Sequence, residues 1–246
     1  MIRWITAFVD MPADTFDAGT RFWEQVTNSR RSAARGASGE FATLVPADGD
    51  AHLRVQRIDA GPPGVHLDLH VDDVEQAAAA AVALGATEVR GGEYRTLHTP
   101  GGYGFCIVRH MGAITRTSPD AALGAPIRVD QLTLDLPADR HDADLAFWQR
   151  LTGWPVEPGS RPEFHVLSGP AEMPLRLLLQ RTESDGPIGA HLDLACGPAV
   201  PLLAAAHVRL GARVEQDRLP WTTLQAPSGH RYCLTPRDPT TGRRPV

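Results

Sequence analysis

Residues 10–27 read Asp-Met-Pro-Ala-Asp-Thr-Phe-Asp-Ala-Gly-Thr-Arg-Phe-Trp-Glu-Gln-Val-Thr, and residues 135–152 read Asp-Leu-Pro-Ala-Asp-Arg-His-Asp-Ala-Asp-Leu-Ala-Phe-Trp-Gln-Arg-Leu-Thr. Adding 125 to the numbers of Asp10, Pro12, Ala13, Asp14, Asp17, Ala18, Phe22, Trp23 and Thr27 lands on the same residue type every time. The same displacement carries His66-Leu67-Asp68-Leu69 onto His191-Leu192-Asp193-Leu194. Further along, Leu84-Gly85-Ala86 returns as Leu210-Gly211-Ala212, and Pro100-x-Gly102-x-x-x-Cys106 returns as Pro227-x-Gly229-x-x-x-Cys233. The displacement drifts by only one or two residues, as loop insertions produce. Four blocks in one order are poorly explained by chance, so the chain is read as two copies of one unit. Copies of roughly 110 to 120 residues are too long for solenoid repeats and suit small folded modules.

Between the copies, Met111 to Pro126 is rich in Gly, Ser, Pro, Ala and Asp with little apolar periodicity. It reads as a linker. The expected organisation is a first module over 1–110, a linker over 111–126 and a second module over 127–246.

Each copy opens on an apolar run, Trp4 to Val9 and Val129 to Leu136. In the second, Leu132, Leu134 and Leu136 alternate with Gln131, Thr133 and Asp135, which predicts a strand. Asp14 and Asp139 stand where helix N-caps belong. Phe16, Phe22, Trp23 and Val26, or Leu145, Trp148 and Leu151, follow at helical spacing, with Asn28 and Gly153 as exits. Three short strands are predicted next, over 40–45, 52–58 and 65–71, then over 163–167, 175–180 and 190–195. A second helix over 74–84 is stopped by Gly85, and its partner by Gly211. A closing hairpin turns at the Pro-x-Gly. The fold class is α+β, as a tandem pair of βαβββ modules forming curved mixed sheets with helices packed outside.

Composition narrows the function classes. The 246 residues are 42% hydrophobic and 22% charged, ordinary for a globular protein, with a net charge of −5 and no basic patch of the kind nucleic acids require. No apolar run is long enough to span a bilayer, and the N-terminus lacks a signal-peptide pattern. The three cysteines do not make a disulfide framework and point to a reducing cytoplasm. A small-molecule ligand is the expected partner, with neither nucleic acid nor membrane, for a monomer or homodimer.

The element order, the Asp-x-Pro-Ala-Asp and Phe-Trp of the first helix, the His-Leu-Asp-Leu strand and the Pro-x-Gly before Cys resemble the vicinal-oxygen-chelate superfamily, which holds the glyoxalases, bleomycin-resistance proteins and extradiol dioxygenases. The similarity is greatest to two-module glyoxalase-like proteins. The resemblance implies a cleft acting on a small molecule, as a lyase, isomerase or dioxygenase; the alternative it leaves open is non-catalytic binding of an antibiotic or metabolite. Metal-dependent members take ligands from a module's first strand, from the strand before its second helix, and from a Glu on its last strand. Here those places hold Thr6 and Gln131, His66 and His191, and Cys106 and Cys233. Exchange of ligands between modules would group Gln131, His66 and Cys106 in one cleft and Thr6, His191 and Cys233 in the other. The cofactor is then either none or a divalent metal ion held by Gln131 and His66. The carboxylate that such ligand sets normally carry is absent from its family place.

His66, Asp68 and His70 alternate along one strand and share a face. His66 and His70, four residues apart, are about 13 Å apart and too distant to share one ion. His66 with Asp68, and His191 with Asp193, are the candidate catalytic groups; fixing of an imidazole tautomer within the sheet is the structural alternative. His70 is expected at a structural or surface position, because its counterpart is Ala195. Cys106 and Cys233 have apolar neighbours and read as small core residues or ligand contacts. Gln56 and Gln180, at similar strand positions, are candidate ligand-binding groups or outward polar edges. Trp23 and Trp148 are expected in the core, and Trp4 or Trp221 on a cleft wall.

Overall fold

The computed structural model describes residues 1–183, 185–218 and 220–244. The first half runs β1 (Ile2–Pro12), α1 (Phe16–Val26), β2 (Arg30–Arg31), β3 (Phe41–Val45), β4 (Leu53–Ile58), β5 (Gly64–Val71), α2 (Val74–Ala83), β6 (Thr87–Arg90), β7 (Arg95–His98) and β8 (Gly104–Arg109). The second runs β9 (Arg128–Pro137), α3 (Ala138–Thr152), β10 (Val156–Pro158), β11 (Phe164–Leu167), β12 (Arg176–Thr182), β13 (Gly189–Ala195), a 3-10 turn at Gly197–Ala199, α4 (Val200–Arg209), β14 (Arg213–Arg218), β15 (Trp221–Gln225) and β16 (Arg231–Thr235).

Two mixed eight-stranded sheets result, ordered β2-β3-β4-β1-β5-β8-β7-β6 and β10-β11-β12-β9-β13-β16-β15-β14. Tandem modules and α+β class are as the sequence predicts. The orders also expose an inner repeat. Each module holds the βαβββ order twice, β1 to β4 then β5 to β8, with the second unit's strand order the reverse of the first's. The first and fifth strands of a module are therefore neighbours at the middle of its sheet. The pairs β5–β8 and β13–β16 are parallel, as a crossover helix requires, and the closing hairpins are antiparallel.

The inner repeat escaped the sequence because the strands that complete it carry no apolar alternation. Every residue of β6, Thr87 to Arg90, is exposed at a sheet edge, and β2 is two exposed arginines. Charged residues on an edge strand discourage edge-to-edge pairing and erase the pattern by which strands are recognised.

By internal contacts the chain forms two compact units, and neither follows a sequence half. One comprises Met1–Ala7, His66–Ile114 and Leu132–Ala190. In it, α3 lays Phe147 and Trp148 on Phe105 of β8, with ring centroids 5.8 and 5.3 Å apart. The other comprises Phe8–Val65, Thr115–Gln131 and His191–Val246. There α1 lays Phe22 and Trp23 on Tyr232 of β16, at 5.9 and 5.4 Å. Both helices bury the aromatic stripe that their spacing anticipates, and Trp23 and Trp148 are core residues.

Local details differ from expectation. Thr15, not Asp14, is the α1 N-cap, and it makes no side-chain cap bond. Pro137 starts α3 directly, leaving Asp139 in the first turn, where its charge opposes the helix dipole. Asn28 and Gly153 do follow their helices in the left-handed region, at φ 44 and 69. Trp4 is buried, so it does not stand on an open cleft wall.

Candidate functional site

In the first unit, β5 and β8 pair Asp68 with Cys106, and β7 pairs Thr96 with Cys106. Asp68, Cys106 and Thr96 thus form one rung across three strands, and His66 stands two residues before Asp68 on the same face. His66 Nε2 lies 3.9 Å from Asp68 Oδ1, and the Thr96 hydroxyl 3.6 Å from Cys106 Sγ. The His66, Asp68 and Cys106 donor atoms all fall within 4.8 Å of one another. Thr6 joins this unit but bonds His70, Oγ1 to Nε2 at 2.8 Å. His70 is buried with its ring against His110, so its place is not the surface.

The second unit repeats the rung with Asp193, Cys233 and Thr223. His191 Nε2 is 3.3 Å from Asp193 Oδ1 and 3.8 Å from Cys233 Sγ, and the Thr223 hydroxyl is 3.4 Å from that sulfur. Here the carboxylate is braced. Gln131 donates its side-chain N–H to Asp193 Oδ2, and the Arg237 guanidinium lies 3.8 Å from the same oxygen. Arg237 also pairs with Asp130, both buried. Burial alone would lower the Arg237 pKa, but Asp130 and Asp193 outweigh it and raise it. The His191 side chain is 10% exposed against 22% for His66. The second group is the more closed, with one guanidinium shared by two carboxylates; the first is open to solvent at its imidazole.

The exchanged ligand sets are therefore reassigned. Gln131 lies with His191, Asp193 and Cys233, and Thr6 lies in the unit of His66, Asp68 and Cys106. The reason is the inner repeat: the first and fifth strands of one module already adjoin, so no exchange is needed to bring them together. Gln56 and Gln180 are half-buried in β4 and β12, in register with Phe41 and Phe164. Sequence reading missed Thr96, Thr223 and the Arg237–Asp130 pair. The threonines carried a signal, since each stands ten residues before its cysteine across the Pro-x-Gly turn. Arg237 carried none, being remote from Asp130 in sequence.

An ion bound at about 2.0 to 2.3 Å from each ligand requires donors roughly 3 to 4 Å apart. The 3.9 Å His66–Asp68 separation and the 3.3 and 3.8 Å separations around His191 meet that requirement. Imidazole nitrogen, carboxylate oxygen and sulfur suit a borderline or soft divalent ion.

A glyoxalase-like domain model matches residues 6–108 and again 131–235. The chain belongs to the glyoxalase-like family. Its fold places it in the vicinal-oxygen-chelate superfamily beside glyoxalases and extradiol dioxygenases. This glyoxalase-like chain is similar to the 2,3-dioxygenase LapB from Pseudomonas sp. KL28, at 16% identity over 94% of this chain and 90% of that one, with a TM-score of 0.67. A Mn(II)-bound glyoxalase from Novosphingobium aromaticivorans matches at 15% identity over 100% and 87%, TM-score 0.64. A variant of homoprotocatechuate 2,3-dioxygenase from B. fuscum matches at 14% identity over 98% and 73%, TM-score 0.68. At these identities the likeness is one of fold. No curated protein matches the sequence. No helix among the described residues is long and apolar enough to cross a membrane.

Proposed function

We propose that this glyoxalase-like protein is a metal-dependent enzyme acting on a small oxygen-bearing molecule, with His66, Asp68 and Cys106 as the ligands of a divalent ion. The observation that carries the reading is the convergence of those three donors within 4.8 Å, with His66 still reachable from solvent. Catalytic metal sites combine about three protein ligands with an open position, and this group has that composition. A divalent ion there would supply Lewis acidity toward a carbonyl or phenolate oxygen, the chemistry of lyases, isomerases and ring-cleaving dioxygenases. Asp68 contributes the anionic charge that the last strand lacks. Thr96 orients the Cys106 sulfur, and the Thr6–His70 bond stiffens the strand pair behind the ligands. In the second group Gln131 and Arg237 already engage the Asp193 carboxylate, which competes with a metal ion for it, and the group serves to brace its sheet.

The test is metal content by elemental analysis after purification without chelators. We expect about one divalent ion per chain, lost in His66→Ala and Cys106→Ser and kept in His191→Ala. Protein that stays metal-free after reloading, or that loses the ion only in His191→Ala, overturns the assignment. A second reading, non-catalytic binding of an antibiotic or metabolite, rests on cysteine standing where metal-dependent members carry Glu. It is supported instead if ligands raise the thermal stability without being turned over.

A further inference from the structure

The three cysteines are all free thiols, and their surroundings differ. Cys196 is buried, and its thiol donates to the Leu194 carbonyl at 3.4 Å. Burial pushes that thiol up to about 12, so at neutral pH it stays protonated and inert. Cys233 stands beside the Asp193 carboxylate that Gln131 and Arg237 already engage, in the group that braces its sheet.

Cys106 is the sulfur of the group that the metal reading gives to a divalent ion, with its donor within 4.8 Å of those of His66 and Asp68. A thiol that ligates such an ion gives up its proton. The thiolate is the form that attacks an oxidant. Coordination uses one lone pair of the sulfur and leaves others for that attack.

The local geometry admits a small oxidant and directs where it reacts. Cys106 keeps a small exposed area beside the solvent-reachable His66 ring, and hydrogen peroxide is scarcely larger than water. On the other flank the Thr96 hydroxyl lies 3.6 Å from Sγ, so an added oxygen has its room on the side of His66 and Asp68. Cys196 and Cys233 both belong to the other compact unit, so the unit of Cys106 holds no second cysteine with which to close a disulfide.

We propose that Cys106 is a peroxide-sensitive modification site, whose reversible oxidation to the sulfenic acid expels the divalent ion; this rests on the metal reading of the His66, Asp68 and Cys106 group. The thiolate attacks one oxygen of hydrogen peroxide. The S–O bond forms, the O–O bond breaks, and the second oxygen leaves as hydroxide. Sulfur loses two electrons and the peroxide gains them. The neutral S–OH is a poorer donor than the thiolate, and its oxygen enters the space that the three donors share. His66 and Asp68 are left as two ligands where about three are needed, and the ion departs. Two molecules of a small thiol reverse the step, leaving as their disulfide while the oxygen leaves as water.

The test uses full-length protein loaded with Zn(II), freed of excess ion and treated with equimolar hydrogen peroxide. A zinc-binding dye follows the released ion, and dimedone with peptide mass spectrometry locates the sulfenic acid. We expect loss of the ion in step with a dimedone adduct on Cys106, and re-uptake of Zn(II) after dithiothreitol in a sample without dimedone. Cys106→Glu, which sets there the carboxylate that metal-dependent members carry, should bind Zn(II) and hold it through the same treatment. Cys233→Ser should respond as the wild type does. The wild-type correlation stands as a test even if a variant does not fold. An ion retained while Cys106 carries the adduct, an ion lost while Cys106 is unmodified, or equal loss from Cys106→Glu would each overturn the proposal and leave the metal reading standing. Wild-type protein that takes up no Zn(II) would overturn both.

Discussion

Arg237 is the residue on which the second rung leans. Its guanidinium joins Asp130, on β9, to Asp193, on β13, and all three are buried. Removing one member of a buried pair strands the other's charge, which costs about 3–5 kcal/mol. Arg237→Met should therefore destabilise the fold by that order in urea denaturation, and the addition of Asp130→Asn should restore part of it. Histidines set the acid limit. Burial lowers the pKa of His52 and of His207 from 6.5 to about 4. The unfolded chain then binds more protons than the folded one between those values. The stability is fully present above pH 6.5 and is lost as pH falls toward about 4, by about 3 kcal/mol per group. Denaturation midpoints measured from pH 7 to pH 4.5 should fall along that window, less steeply in His207→Phe. A midpoint flat with pH would contradict both burials.

At the scale of elements, each aromatic helix meets a Pro-x-Gly turn, and the two contacts are complementary in opposite ways. On α1, Gly19 lacks the side chain that Asp144 has at the matching place on α3. A Cβ on Gly19 would come within 2.4 Å of Met11 Sδ and 2.5 Å of Ser228 Cβ. Around α3 the bulk is exchanged: Gly101 gives way, and the Asp144 carboxylate accepts from the Gly101 N–H at 2.6 Å and the Thr99 hydroxyl at 2.8 Å. Gly19→Ala should thus cost about 1–3 kcal/mol, and Ser228→Gly in the same chain should recover a part of it, the Met11 contact remaining. A double-mutant cycle with no coupling would mean the helix and turn do not press on each other. The repeat made these positions findable, yet the sizes exchanged at them are invisible without the contact. β6 and β14 show the converse: they complete the inner βαβββ repeat, but an exposed, charged edge strand has no periodicity to read. His66 and Asp68 were legible as candidates because strand alternation fixes a face, and Cys106 because the resemblance puts a ligand at its place. Their grouping was not, since it depends on which strands adjoin.

For the whole molecule, the interleaving of the two compact units has a direct consequence. The aromatic stripe of α1 is buried against β16, and that of α3 against β8, so each half of the chain keeps its helix's partner strand in the other. Residues 1–126 expressed alone should expose Phe22 and Trp23 and fail to unfold cooperatively; the same holds for 127–246 with Phe147 and Trp148. Mixed together, the halves should recover a cooperative transition and bury their tryptophans, as near-UV dichroism and fluorescence would report. Cooperative folding of either half alone would show that the contacts between halves are dispensable.

Taken alone, the amino-acid order determined the duplication, the helices, most interior strands and the His-Asp-Cys residue types, because periodicity and an internal match are local properties of the chain. Tertiary structure decided which copies of those residues lie together, that Gln131 bonds Asp193, and that His70 bonds Thr6. Those facts depend on strand adjacency and on the desolvation of groups remote in sequence, and neither is written in the neighbourhood of any one residue.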